Sequence, residues 1–311
     1  NTGVNHHNWL FGLEKDANNL MVWNLGKILP GHNENNRIRS GDWIEPEAEI
    51  DLTRCFSDRP PLKFNKRRRF TEKSVDMGEC ATTILVSKSD NKLNLLVGTD
   101  RSKIWILPLA CSEDDDVPSI GREEPRFFSL NDGESSSKER SSNATARQQL
   151  SDKNRRSVAL ATSNQFFWTV SNIIETNDGT WWTASAVRSG SICGNSHRIA
   201  NNTTGLLVTW HAPSGMVMAR RETREAIQTI RQQQRLPRGH SPCLLYSAGN
   251  EAAVSTWDSS FSLERTGRFW ASPPSGKTIA IEVGTTRMAV AGVSNWVDLF
   301  VDHCRVQTVR I

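Results

Sequence analysis

The sequence contains very little tyrosine and no long apolar run. A single Tyr accompanies 11 Trp in 311 residues. No stretch approaches the roughly 18 consecutive apolar residues of a membrane-spanning helix, so we expect no association with a membrane. The imbalance between Trp and Tyr predicts a repeated structural position that requires a large, flat side chain.

Paired cysteines and metal-binding spacings are also missing. None of the 6 cysteines forms a C-x-x-C pair, which excludes zinc-ribbon and thioredoxin-like folds. The histidines show no H-E-x-x-H or comparable ligand spacing. We therefore expect no metal and no cofactor, and the scattered single thiols are typical of the cytosol or nucleus.

A strong charge of one sign is absent as well, because the net charge is only +4. That value alone is too small to indicate a nucleic-acid-binding protein. Direct nucleic-acid recognition would have to depend on local basic segments.

Five segments of the chain share one pattern. Each has an apolar strand, a turn of small or polar residues and a second strand that ends in an aromatic residue, as expected for a β-hairpin. The aromatic positions are Trp23, Trp105, Trp210, Trp257 and Phe300. We interpret these side chains as fillers of the wedge between adjacent blades, where one large ring buries much area.

The spacing of the hairpins indicates a particular all-β architecture. The intervals from Trp210 to Trp257 and from Trp257 to Phe300 approach the period of about 40–45 residues of WD-type blades, and the earlier intervals are about two periods each. The chain length accommodates about seven such blades. The sequence predicts one WD-repeat β-propeller domain over residues 1–311, with seven blades of four antiparallel strands and long polar inserts.

Two polar segments interrupt this pattern. Residues 63–70 form a basic loop that contains Lys66, Arg67, Arg68 and Arg69, and it could act as a nuclear import signal, a phosphate-contacting patch or a plain solvated loop. Residues 111–157 are acidic and then Ser-rich, which predicts a disordered or surface insertion. A divergent blade hidden in this segment is the less favoured alternative.

A third charged segment, Met218–His240, lies between two predicted blades and contains Arg220, Arg221 and Arg224. We expect a short exposed helix from Glu222 to Gln234. The interspersed Glu222 and Glu225 dilute the positive charge, so these arginines are expected to contact protein rather than RNA.

Two weak motifs favour an enzyme. Ala271–Thr278 fits a relaxed phosphate-loop pattern, but the following residues are strand-like, whereas phosphate binding requires a helix there. Cys193 lies near His197 in a polar insert, without further signs of an activated nucleophile. We expect no catalytic residue and no enzymatic activity.

Several hairpin segments together resemble those of a known protein family. They are Thr83–Lys88, Leu95–Gly98, Asp178–Trp182, Leu207–His211, Leu245–Gly249, Val254–Trp257 and Ala291–Phe300. The chain resembles the THO complex subunit 6 family of WD-repeat proteins in these segments, and the resemblance covers about half of the chain.

The resemblance implies a non-enzymatic propeller scaffold in the nucleus. In this family the propeller belongs to the THO/TREX assembly, which couples transcription to mRNA packaging and export. The implied partners are other THO subunits and, indirectly, a DEAD-box RNA helicase, with any RNA contact indirect. The alternative is a WD-repeat adaptor of another complex, such as a ubiquitin-ligase substrate receptor or a ribosome-assembly factor.

Overall fold

A computed structural model describes most of the chain as strands and short turns. The described residues are 9–14, 18–25, 44–56, 79–89, 92–110, 117–121, 125–131, 167–176, 180–189, 204–233, 244–259, 262–271 and 277–311. Within these ranges no helix is long and apolar enough to cross a membrane.

The first two sheets lie in the N-terminal part of the chain. Sheet 1 has three antiparallel strands in the order β1-β2-β3, followed by a short 3₁₀ helix. Sheet 2 has five strands, in which the short β7 and β8 share the outer edge of β6. The bounds are β1 (Trp9–Leu13), β2 (Asn19–Asn24), β3 (Ala48–Asp51), the 3₁₀ helix (Leu52–Arg54), β4 (Ala81–Ser89), β5 (Lys92–Thr99), β6 (Lys103–Ala110), β7 (Ser119–Ile120) and β8 (Arg126–Ser129).

The remaining three sheets each contain four antiparallel strands whose neighbours in the sheet are also neighbours in sequence. Sheet 3 comprises β9 (Phe167–Thr176), β10 (Trp181–Ser189), β11 (Gly205–His211) and β12 (Val217–Thr223). Sheet 4 comprises β13 (Ile227–Gln232), β14 (Leu244–Gly249), β15 (Ala253–Asp258) and β16 (Arg265–Trp270). Sheet 5 comprises β17 (Thr278–Val283), β18 (Arg287–Gly292), β19 (Trp296–Val301) and β20 (Cys304–Arg310).

The all-β class and the five predicted hairpins are confirmed. The hairpins are β1–β2, β5–β6, β10–β11, β14–β15 and β18–β19, all antiparallel. Short turns between apolar strands favour four of these pairings, because they leave antiparallel pairing as the simplest way to bury both strands. The fifth pair, β10–β11, is joined by the longer connection 190–204.

Consecutive sheets pack face to face through separate hydrophobic clusters. One cluster joins sheets 1 and 2, and further clusters join sheets 2 and 3, 3 and 4, and 4 and 5. The first strands β4, β9, β13 and β17 lie side by side at one margin of the stack. The described sheets are therefore arranged as successive blades of a β-propeller are.

The predicted aromatic positions fall on the third strand of a meander or its equivalent. Trp210, Trp257 and Phe300 are buried and pack between their own sheet and the preceding one. Trp23 is half-buried and belongs to the face of sheet 1 opposite Leu20 and Val22, which pack against sheet 2.

Trp105 is buried too, but its register differs from that of Trp257 and Phe300. Trp105 pairs with Val97 close to the β5–β6 turn, whereas Trp257 pairs with Leu245, farther from its turn. Counted from the turn, Leu107 occupies the position equivalent to Trp257. The prediction that the aromatic residues share one position of the hairpin is therefore wrong for Trp105 in sheet 2. Sheet 2 accommodates the aromatic side chain at position 105 instead of 107, because Trp105 and Leu107 both point into the core between sheets 1 and 2.

Two other expectations need correction. The segment 111–157 is not an insertion throughout, because β7 and β8 within it pair with β6; its other residues lie outside the described ranges. The helix expected from Glu222 to Gln234 is absent: β12 ends at Thr223, a turn follows, and β13 runs to Gln232. Pairing of β12 with β11 and of β13 with β14 outweighs the helix-favouring composition of this segment.

Candidate partner-binding site

A large groove lies between the end of sheet 3 and the outer part of sheet 4. Its volume is about 760 Å³. Charged residues of both signs dominate its walls: Arg221, Arg224, Arg265, Arg268, Glu222, Glu225, Glu251 and Glu264. We call this surface the arginine–glutamate groove.

Strand pairing and a tight turn build the groove. The β12–β13 turn places Arg224 and Glu225 at the margin between the two sheets. On the side of sheet 4, the outer strand β16 supplies Arg265 and Arg268. At the apolar end of the lining, the Trp257 indole N–H donates to Ser247 Oγ at 2.8 Å, so the side chains there are fixed.

An ion-pair cluster rigidifies one side of the groove. Arg268 Nη1 lies 2.8 Å from Glu225 Oε1, and Arg268 Nη2 donates to Glu251. Partial burial raises the pKa of the Glu225 carboxyl, and the nearby Glu251 adds to this rise, whereas Arg268 and Arg265 oppose it. Arg268 thus joins the turn between sheets 3 and 4 to the outer strand of sheet 4.

Of the arginines predicted from the sequence, only two line the groove. Arg224 is exposed, and the exposed Arg221 donates to Ser262 O at 3.3 Å. Arg220 is half-buried and donates to Glu222 at 3.1 Å, and it does not line the groove. The basic residues Lys66, Arg67, Arg68 and Arg69, and the 63–70 loop as a whole, lie outside the described residues.

The remaining residues of the groove could not be selected from the sequence. Glu264, Arg265 and Arg268 form a short stretch of mixed charge, and Glu251 lies in the β14–β15 turn. The β15–β16 pairing brings Arg265 and Arg268 to the side of the groove that faces the β12–β13 turn. The sequence signal for these residues is weak, because charges on outer strands are common on any protein surface.

The weak catalytic motifs find no support where they can be assessed. Lys277 is followed directly by the strand β17 rather than by the helix that a phosphate loop requires. Cys193 and His197 lie outside the described residues. In the part of the chain that is described, no three His, Cys, Asp or Glu side chains cluster as metal ligands would.

No protein-family model and no curated protein sequence matches the chain. Among solved structures, it is similar to a chain of a crystal structure of the mitotic checkpoint complex, with 12% identity over 81% of this chain and a TM-score of 0.38. It is also similar to a chain of the crystal structure of BBS1N in complex with ARL6DN, with 10% identity over 94% of this chain and a TM-score of 0.43. The matches cover 62% of each of those chains. The sheets themselves define the class of the molecule: it is an all-β protein whose consecutive antiparallel sheets pack as the blades of a β-propeller do.

Proposed function

We propose that this protein is a non-enzymatic scaffold or adaptor whose propeller binds other proteins. The observation that carries the proposal is the arginine–glutamate groove. It is open, and it presents arginines and glutamates of both signs on a framework fixed by ion pairs. Such a surface favours recognition of a partner with complementary charges, because charge complementarity provides specificity and steers association.

The particular assembly that we propose is the nuclear THO/TREX complex. This proposal rests on the resemblance of the hairpin sequences to the THO complex subunit 6 family. It includes a ring of seven blades, contacts with other THO subunits and an indirect connection to a DEAD-box RNA helicase. A ubiquitin-ligase substrate receptor or a ribosome-assembly factor is the competing assignment.

Affinity purification of the tagged full chain, followed by mass spectrometry, tests this proposal. We expect THO subunits to be recovered with the wild-type chain and to be reduced with the double variant Arg221→Glu, Arg224→Glu. The variant Arg287→Glu, on an exposed position of sheet 5, is the matched charge-reversal control. Recovery of ring-ligase components or ribosome-assembly proteins without THO subunits would replace the THO assignment by the alternative.

We also propose that the protein is nuclear and that the Lys66–Arg69 run directs its import. The support is the composition of this run, four consecutive basic residues. A fluorescent fusion of the full chain should accumulate in the nucleus and become cytosolic when all four residues are replaced by alanine. Equal nuclear accumulation of both fusions would remove the import role of this segment.

A further inference from the structure

A second groove lies between the outer strands of sheets 4 and 5. Its volume is about 580 Å³, within the range of pockets that hold small ligands or a few side chains. Six residues line it: Ala252, Trp270, Ala271, Phe300, His303 and Arg305. We call it the Trp270 groove.

Trp270 is the unusual residue of this surface, because 64% of it is exposed. The Arg268 guanidinium lies 4.8 Å from the centre of its ring, and Glu225 and Glu251 hold Arg268 in place. This cation–π contact constrains the indole without covering it. An exposed Trp that is held in position is a ready contact point, since Trp is enriched among the residues that dominate binding energy.

Other aromatic contacts fix the opposite part of the groove. Phe269 packs against Phe300 with ring centres 5.2 Å apart and stacks on His303 at 5.4 Å. The Tyr246 hydroxyl and His303 Nε2 are 2.7 Å apart. The lining is therefore apolar and preorganised, which lowers the entropic cost of binding.

Arg305 is the permanently charged residue among the six that line the Trp270 groove, and no carboxylate lines it. Glu251, which neighbours Ala252 in sequence, is engaged by Arg268. An occupant with carboxylates beside an apolar side chain is complementary to this surface.

The adjoining backbone favours an extended occupant. β20 is the outer strand of sheet 5, and within the described residues it pairs only with β19. Its side chains are mostly exposed and include Arg305 and Arg310. An open strand edge beside an apolar groove is suited to β-strand addition, in which main-chain hydrogen bonds supply affinity and the groove selects a side chain.

From these observations we infer that the Trp270 groove binds an extended, acidic segment of a partner protein that inserts one large apolar side chain against Trp270. The inference rests on the proposed scaffold role in one respect: it takes the molecule bound in the Trp270 groove to be a segment of a protein. It concerns a different surface from Arg221 and Arg224, so a failed peptide experiment and a failed co-purification can be distinguished.

The test uses the full chain and two labelled peptide libraries in a fluorescence-anisotropy titration. Both libraries carry one central Leu, Phe or Trp, with flanks of Asp and Glu in the first and of Lys in the second. We expect the wild-type chain to bind the acidic library. Trp270→Ala should bind it at least about tenfold more weakly, as for loss of an aromatic anchor. Arg305→Glu should show a clear loss of affinity for the same library. Arg126→Glu, a charge reversal at an exposed position of β8 in sheet 2, and Met216→Ala, an exposed apolar residue preceding β12, are the matched controls and should bind as wild type does.

Three outcomes would overturn the inference. The first is absence of binding of the acidic library to the wild-type chain. The second is equal binding of the acidic and basic libraries to the wild-type chain, or equal binding of the acidic library to the wild-type chain and to Trp270→Ala. The third is concentration-dependent self-association that Trp270→Ala abolishes, which would make the groove a contact between two copies of this chain. Thermal melting of each variant checks that its fold is retained, as expected for changes at exposed positions.

Discussion

Two buried tryptophans in equivalent positions differ in their polar contacts. The Trp257 indole donates to Ser247, whereas the Trp210 indole nitrogen has no hydrogen-bond partner among the described residues. Trp257→Phe should therefore destabilise the protein more than Trp210→Phe, by about 1–3 kcal/mol, because only the former leaves a buried hydroxyl without its donor. Urea unfolding of both variants measures the difference.

The matched control is the double variant Ser247→Ala, Trp257→Phe, which removes both partners of the hydrogen bond. It should recover part of the stability that Trp257→Phe loses. Equal losses in Trp257→Phe and Trp210→Phe would show that ring volume, and not the hydrogen bond, decides the cost at these positions.

Glu225 gives the stability a pH dependence of known sign. Burial raises the pKa of its carboxyl above the ordinary value of 4.5, so the folded state binds this proton more tightly than the unfolded state. The resulting stabilisation is fully present below the ordinary pKa and is lost as the pH rises through the raised folded pKa. Wild-type stability should therefore fall more steeply than that of Glu225→Gln over this window.

Chemical unfolding of wild type and Glu225→Gln at several pH values from about 4 to 7 checks this prediction. Glu222→Gln, at an exposed carboxyl of the same groove, is the control and should follow the wild-type profile. Parallel curves for wild type and Glu225→Gln would contradict the assigned cause.

At the level of strands and turns, Gly249 illustrates how closely the neighbouring strands β13 and β14 of sheet 4 approach each other. A Cβ on Gly249 would lie about 1.8 Å from the backbone oxygen of Ala226, in the turn that leads into β13. Gly249→Ala must therefore push β13 away from β14, and we expect a loss of at least about 1–3 kcal/mol, as for other overpacked sites. Gly284→Ala is the control, because its Cβ would meet Arg287 O at 3.4 Å, an ordinary contact. Similar melting temperatures for the two variants would mean that the β13–β14 junction yields without strain.

The hairpins were predictable from the sequence, whereas the strands between them were less so. The apolar composition of segments such as Leu244–Gly249 and Ala253–Asp258, and the short polar turn between them, indicate a hairpin. The outer strand β12 contains Arg220, Arg221 and Glu222 and has no apolar period of its own. It is a strand because β11 offers it a backbone edge, and such a pairing context overrides the composition of the strand itself.

For the whole molecule, the sequence indicated the layered all-β class but not its binding surfaces. The arginine–glutamate groove joins residues from the end of sheet 3 with residues from β14, β15 and β16. The clustering of Arg221 and Arg224 in the sequence predicts a binding role for them. No sequence feature predicts a role for Arg268, although Arg268 makes the central ion pairs of the groove. Charge clustering therefore identifies exposed arginines, while the structural role of Arg268 follows only from the packing of the sheets.

Side-chain hydrogen bonds connect the first strands of neighbouring sheets. The Thr82 hydroxyl of β4 donates to Val170 O of β9 at 2.6 Å, and the Ser171 hydroxyl of β9 donates to Ile227 O of β13 at 2.5 Å. Beyond β13, the Gln233 amide donates to Thr285 O near β18. These bonds satisfy carbonyls at the margin where β4, β9, β13 and β17 meet, so each sheet is joined to the next by more than apolar packing.

Ser171→Ala should therefore weaken the junction between sheets 3 and 4 in particular. The substitution also removes the hydrogen bond between the Ser171 and Ser185 hydroxyls within sheet 3. The two losses together are expected to lower the free energy of unfolding by about 1–2 kcal/mol, and hydrogen exchange should accelerate in β13 more than in β5. Thr266→Val is the control, since the Thr266 hydroxyl donates to Thr256 within sheet 4 and joins no two sheets. If Ser171→Ala raised exchange uniformly, or left β13 as protected as Thr266→Val does, the junction would depend on the apolar cluster of Leu207, Ile230 and Leu245 alone.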